Sequence, residues 1–390
     1  MRRSFGEGTI YYNKHQMRYE AQFYYKDSNG DSARKTFTSK KSKTDALKKG
    51  KAFMKEREKG IDYYKSKYTL ADWLDYWLEN YKKNSTKIKT YERYSSLVKK
   101  NVNPFIGETI IKDLTIMELQ KHFNHLLEKG GERNQGLAPR SVNATRRLLI
   151  SALEDAIELK YIESNPARKT KPCRVGRVEL HVLTRAESDR LIDAARRSGR
   201  PYWIIIILAV WTGMRISEIF GLEWKNIDLN NASLKVEKTV VTTNKGIVIQ
   251  NSAKTATSNR TILLSVFVVE ALKRYKLFLK IRHRRLGSRF KNSDFVLANQ
   301  DGVPRSPNSF SSHNFKSLLK EAGIDTHVRV HDLRHTHATW LLEANVNVKV
   351  VSERLGHSNC RITLDTYAHV LRTMQEKAVD ALDDLYNKSK

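Results

Sequence analysis

Four side chains able to do chemistry stand within seven residues of the stretch HDLRHTHAT (331–339): His331, Arg334, His335 and His337. His331 and His335 have the H-x-x-x-H spacing of a zinc peptidase helix, which stacks two imidazoles on one helical face. Such a centre also needs a glutamate base and a third ligand, and it is incompatible with a permanent cation beside the metal. Here Asp332 stands where the glutamate is usual and Arg334 lies between the two histidines, so no metal site is expected. Leu333, His337, Trp340, Leu341 and Ala344 recur as a helical core stripe. That makes His337 a packed histidine and leaves His335 as a supporting hydrogen-bonder. His331 and Arg334, three apart, share one face at the start of the helix.

Three further stretches accompany this one: TGMRISEIFGLEW (212–224), SAKTATSNRTILL (252–264) and LGHSNCRITLDTY (355–367). The first places Arg215 and Glu218 on one helix face directly after the apolar run Trp203–Trp211, which must be a core helix. Helices are expected at 185–197, 201–212, 214–221, 265–283, 308–322, 331–344, 347–355 and 372–386. The last carries Met374, Ala378, Ala381, Leu382 and Leu385 on one stripe. Between Ser233 and Leu264, the runs LKVEKTVV, GIVIQ and RTILL predict a short antiparallel sheet with turns at 244–246 and 254–259.

Upstream of this mixed, mainly helical domain (181–390), the patterning changes twice. Residues 8–37 alternate aromatic and polar types in three bursts with a turn at 27–31, then Thr44 opens a helix. This predicts a three-stranded sheet plus helix over residues 1–67, with 18 Lys and Arg against 8 Asp and Glu. Residues 68–165 show helical spacing throughout, punctuated by Pro104, Gly107, Gly130 and Pro139, and predict an all-α domain. Residues 166–180, with Pro166, Pro172 and five basic residues, form an expected basic linker. The fold class is therefore multidomain α+β.

The whole chain has 71 Lys and Arg against 42 Asp and Glu, a net charge of +29. A surplus spread over several segments points to a polyanionic partner, because neutralising phosphates releases counterions. Nucleic acid is expected. The basic start MRRSFGEG has no apolar stretch behind it, and no run approaches the ~20 apolar residues of a membrane span. Two cysteines, Cys173 and Cys360, exclude a disulfide framework or a cysteine-rich zinc module. A cytoplasmic protein without membrane contact is expected.

In this order and spacing, the four stretches resemble the tyrosine recombinase family, specifically integrases of phages and integrative elements. The resemblance covers essentially the whole chain. It implies an arm-type DNA-binding domain (1–67), a core-binding domain (68–165), a basic linker (166–180) and a catalytic domain (181–390). It further implies a site-specific recombinase that cuts and rejoins attachment-site DNA through a 3′-phosphotyrosyl intermediate, with neither cofactor, ATP nor metal. By matching position, Tyr367 is the nucleophile and Arg215 and Arg334 are the phosphate clamp. His331 and His357 contact the scissile phosphate, and Lys254 protonates the leaving 5′-oxygen. Lys235, Lys238 and Lys245 share that sheet region. Glu218 and His335 are supporting residues. The implied partners are double-stranded DNA carrying core-type and arm-type sites, three further copies in a tetramer bridged by the tail helix, an excisionase and a host DNA-bending protein. The implied setting is a bacterial cytoplasm. A catalytically inactive DNA-binding regulator and a type IB topoisomerase-like strand transferase are the alternatives; all six catalytic positions are filled, which argues against the first.

Overall fold

Alternating aromatic and polar residues at the start of the chain form three antiparallel strands: β1 Thr9–Asn13, β2 Arg18–Lys26 and β3 Ser32–Ser39, in the order β1-β2-β3. The computed structural model of the 390-residue chain describes residues 8–26, 32–58, 68–131, 135–176, 181–251, 259–287, 291, 293–367, 379, 382–383 and 386–387. The period of two puts Ala21 and Phe23 on one face, where helix α1 (Lys43–Glu58) covers them with Ala46. Tyr11, Gln22, Tyr24 and Arg34 take the opposite face, pairing across the strands as Tyr24↔Arg34 and Thr9↔Gln22.

A second, separate core follows, built by α2 (Leu70–Trp77), α3 (Ile88–Leu97), α4 (Asn103–Ile106), α5 (Ile116–Lys129) and α6 (Pro139–Glu158). Trp73, Trp77, Phe123 and Leu149 fill it, and the Trp73 indole N–H is satisfied by the Ala152 carbonyl at 3.0 Å. Capping boxes at Thr69/Asp72 and Thr115/Glu118 start two of the helices. The described part of the basic segment after α6 is tied down rather than free. Asn143 exchanges two hydrogen bonds with the Cys173 backbone (2.8 and 2.9 Å), and Arg146 donates to the Thr170 carbonyl at 2.6 Å. The chain accordingly divides into compact units at 177/178, beyond these bonds.

In the second unit, α8 (Tyr202–Thr212) is the central rod. Its sequence YWIIIILAVWT is apolar all round, so it is buried all round, packed by α7 (Arg185–Arg197), α10 (Val266–Leu286) and α13 (Val330–Glu343). Short α9 (Ile216–Phe220) follows it directly. Elements α11 (Pro307–Ser309) and α12 (Phe315–Glu321), joined by a π turn, occupy the expected 308–322 helix, and α14 (Val348–Leu355) and α15 (Cys360–Thr366) close the unit.

The strand run after Ile227 divides between two sheets instead of forming one. Strands β4 (Ile227–Asp228), β5 (Ser233–Val236) and β8 (Arg260–Leu263) order as β4-β5-β8, while β6 (Lys238–Thr243) and β7 (Gly246–Asn251) pair only with each other. The reason is edge occupancy. Both edges of β5 are taken, so the hairpin that follows it must close on itself. No helix among the described residues is long and apolar enough to cross a membrane. Lys254, the 27–31 turn and most of the expected tail helix lie outside the described residues.

Candidate active site

The site assembles where helix ends meet. Helix α8 stops at Gly213 with φ +68°, and α14 stops at Gly356 with φ +66°. Both positions demand glycine for space as well as for backbone. A Cβ on Gly213 would stand 2.5 Å from the His337 ring, and one on Gly356 would stand 2.8 Å from the Arg260 guanidinium. The last carbonyls of these helices have no intrahelical donor and carry the negative end of the helix dipole. Arg334 supplies the missing donors. It projects from the first turns of α13, is 3% exposed, and donates to Gly213 O at 2.8 Å and Leu355 O at 2.6 Å.

Arg215 approaches the same point from the start of α9. Its guanidinium donates to Gly356 O (3.1 Å) and to Glu218 Oε1 (2.8 Å), while its backbone N–H donates to Glu218 Oε2 (2.9 Å). Glu218 is buried and takes two more bonds from Arg260, at 3.2 and 2.8 Å. Burial alone would raise the Glu218 pKa, but the hydrogen bonds and charge of Arg260, then Arg215, overcome it and hold the carboxyl down at about 2. Arg334 is lowered to about 9 by burial, with Arg215 adding repulsion, and stays protonated at neutral pH.

Tyr367 caps α15 and is 1% exposed, packed among Ala338, Leu342, Val351 and Leu355. Its hydroxyl lies 2.8 Å from His335 Nδ1, and the His335 ring meets the His331 ring edge-on at 4.8 Å. Burial raises the phenol to about 12, with Arg334 pulling the other way. His335 is lowered to about 4 by burial and then by His331. His357, anchored through Nδ1 to Thr363 Oγ1 at 2.8 Å, is lowered to about 4 by burial, with Arg334 and Arg215 contributing. The outer edge of His331 is open, yet its ring also titrates below the usual range through partial burial, then Arg334 and Arg215. Neutral imidazoles thus surround two clustered cations.

This geometry explains why HDLRHTHAT departs from a zinc helix. Asp332 is a helix-start residue, accepting from the Arg329 backbone N–H (2.8 Å) and its guanidinium (3.1 and 2.7 Å). His335 is engaged with Tyr367. His337 is packed as its stripe position requires, donating from Nδ1 to Val210 O at 2.8 Å and accepting at Nε2 from Arg354 at 3.1 Å.

Residues 181–374 match the phage integrase family, and residues 69–127 match the N-terminal SAM-like domain of phage integrases. The chain belongs to the phage integrase family. It is thereby a tyrosine recombinase, a class of enzymes that cleave and rejoin DNA at specific sites. A XerC-like tyrosine recombinase of Caldanaerobacter subterraneus subsp. tengcongensis is 27% identical over 93% of this chain and 94% of its own length. The ICEBs1 integrase of Bacillus subtilis is 25% identical, covering 76% of this chain and 77% of its own. Among solved structures, the Tn1549 transposon integrase in complex with a circular intermediate DNA superimposes with a TM-score of 0.67 at 22% identity, over 80% of this chain and 99% of that one. A lambda integrase dimer bound to a core site gives 0.57 at 20% identity, over 91% and 93%.

Within the integrase fold, Arg215, Glu218, His331, Arg334, His335, His357 and Tyr367 therefore come together. Two residues of the cluster escape a reading of the sequence. Arg260 bonds Glu218 and donates to Arg354 O at 2.7 Å, while Arg354 itself ties His337 to Leu263 O (3.0 Å). A signal for Arg260 existed: in RTIL, alternation puts it on the inward face with Ile262, and an inward arginine requires a buried carboxylate.

Proposed function

We propose that this recombinase integrates and excises a mobile element at attachment sites, with Tyr367 as nucleophile and Arg215 and Arg334 as the phosphate clamp. The observation that carries the reading is the convergence of a buried tyrosine hydroxyl, two guanidinium groups and three neutral imidazoles around the ends of α8 and α14. In the proposed step, the Tyr367 oxygen attacks phosphorus, the bond from phosphorus to the 5′-oxygen breaks, and a 3′-phosphotyrosyl link forms. A 5′-hydroxyl from another strand reverses the step, so bond energy is conserved. Negative charge grows on the non-bridging oxygens. Fixed guanidinium groups, charged at neutral pH and matched in shape to phosphate, stabilise it. Glu218 and Arg260 hold Arg215 in place. His331 and His357 donate to the phosphate, and Lys254 protonates the leaving 5′-oxygen.

A phenol raised to about 12 is a poor nucleophile, so its proton needs an acceptor. We assign that role to His335, neutral and 2.8 Å away. His335→Ala is expected to slow single-turnover cleavage about 100-fold, within the range for general bases, while DNA affinity holds. An unchanged rate would remove His335 from the mechanism.

The substrate on this reading is double-stranded DNA, supported by the net charge of +29 and by the DNA complexes of the Tn1549 and lambda integrases. Residues 1–67 would take arm-type sites through the face bearing Tyr11, Gln22, Tyr24 and Arg34, and residues 68–165 the core-type site. Four copies would act together, as in the lambda integrase tetramer bound to a Holliday junction, in a bacterial cytoplasm, with an excisionase and a host DNA-bending protein assisting. The test is incubation with a nicked attachment-site duplex in EDTA. A covalent protein–DNA adduct is expected, and its absence would overturn the assignment in favour of a catalytically silent DNA-binding protein.

A further inference from the structure

A cavity of about 490 Å³ opens at the end of α8 opposite Gly213, lined by Arg200, Tyr202, Phe278, Arg282, Arg285 and Arg305 among others. Eleven residues of helix at ~1.5 Å each separate it from the tyrosine cluster by roughly 16 Å, so it is a different place on the molecule. Three separate segments supply its cations. Phe278, Arg282 and Arg285 recur at i, i+4 and i+7 along α10, Arg200 and Tyr202 stand at the start of α8, and Arg305 precedes α11.

Four guanidinium groups here face no carboxylate of the described residues. Among the described residues, no Asp or Glu lines the cavity and none of the four arginines has an ion pair. Arg200 donates to the Tyr202 hydroxyl at 3.0 Å and Arg305 donates through Nε to Ala298 O at 3.1 Å, both neutral acceptors. Arg305 is partly buried, and its pKa is lowered first by burial and then by Arg282. Arg282 and Arg305 are partly buried while Arg200 and Arg285 reach solvent, so the two partly desolvated cations sit beside two more like charges with no counter-charge to offset them. Such an arrangement is explained by an anion that arrives with the ligand.

The shape narrows the ligand. A duplex backbone spreads its charges along an extended surface, one per about 3.4 Å of helix axis on each strand, and would not need a concave pocket. Four arginines around one cavity of small-molecule size fit several phosphate groups in tandem, and the Tyr202 and Phe278 rings offer flat apolar walls to a base. We propose that this cavity binds a nucleoside polyphosphate, with the phosphates on Arg200, Arg282, Arg285 and Arg305 and the nucleoside against Tyr202 and Phe278. The inference is independent of the assignment of Tyr367.

Calorimetric titration of the full chain with ATP, pyrophosphate and a short duplex tests it. ATP is expected to saturate one site. Arg305→Gln and, separately, the exposed Arg285→Gln should each weaken it about tenfold or more, whereas exposed Arg284→Gln, which removes the same charge outside the cavity, should leave it within about twofold. Pyrophosphate should bind more weakly than ATP, because it lacks both the nucleoside and one phosphate. Arg285→Gln keeps the test decisive if Arg305→Gln unfolds. Absence of saturable ATP binding, equal weakening in Arg284→Gln, or a duplex binding in a manner that requires Arg285 and Arg305 while ATP does not bind would each overturn the proposal.

Discussion

Tyr367→Phe is expected to fold and to bind attachment-site DNA like the native chain, and to form no covalent adduct with it. The ring packs among Ala338, Leu342, Val351 and Leu355, contacts that phenylalanine preserves. What is lost is one hydroxyl and its bond to His335 Nδ1, which leaves a half-buried imidazole nitrogen short of a partner at a cost of about 1 to 3 kcal/mol. That lowers the melting temperature by a few degrees without unfolding the domain. The chemistry, by contrast, falls to nothing, because a phenyl ring has no oxygen to attack phosphorus. Denaturing electrophoresis after incubation with a nicked duplex reads the adduct directly, and a mobility-shift assay on the same samples reads binding. Adduct persisting in the variant would move the nucleophile elsewhere among the 17 tyrosines. Loss of DNA binding in parallel would instead mean that the hydroxyl had served the fold.

What the sequence disclosed of this site was whatever local spacing can express. The i, i+3 pairs Arg215–Glu218 and His331–Arg334 are set by helix geometry, and α8 announces itself by an apolar run that no surface helix could carry. The core position of His337 follows from the same periodicity. Contacts between distant segments were not legible. Arg260 meets Glu218 across 42 residues and His335 meets Tyr367 across 32, and in each case the pairing depends on how helix ends and a strand register converge. The division of the strand run into two sheets has the same origin, since β5 pairs with β8 only after the β6–β7 excursion has returned. A cavity drawn from positions 200, 282, 285 and 305 leaves no trace in any one stretch. His335 shows how this affects a reading of function: spacing alone made it a supporting residue, whereas tertiary packing puts it on the hydroxyl.

Glu218→Gln should be among the most destabilising single changes in this unit, and its effect should depend on pH in a defined direction. Glu218 is 3% exposed and neutralises Arg260, whose side chain is 7% exposed, as well as bonding Arg215. Removing the carboxylate's charge strands a buried guanidinium, for which losses of about 3 to 5 kcal/mol are typical. The folded carboxyl titrates at about 2 against 4.5 for the free group, so its ionisation contributes on the order of 3 kcal/mol. Because the folded pKa is the depressed one, that contribution is complete above about pH 4.5 to 5 and is lost as pH falls towards 2. The native chain should therefore exceed the variant in stability by a constant margin from pH 8 to about 5, and the margin should shrink steadily below that. Other carboxylates titrate in the same range, so the comparison must be the difference between the two proteins at each pH, read from the thermal or urea transition of the 178–390 unit. Arg260→Ala should mimic the loss at neutral pH, while Arg260→Lys, which keeps the charge but not the two-pronged geometry, should recover only part of it. A margin that stays constant down to pH 3 would mean that Glu218 contributes through packing alone, and Arg215 would then have to be held by its bond to the Gly356 carbonyl.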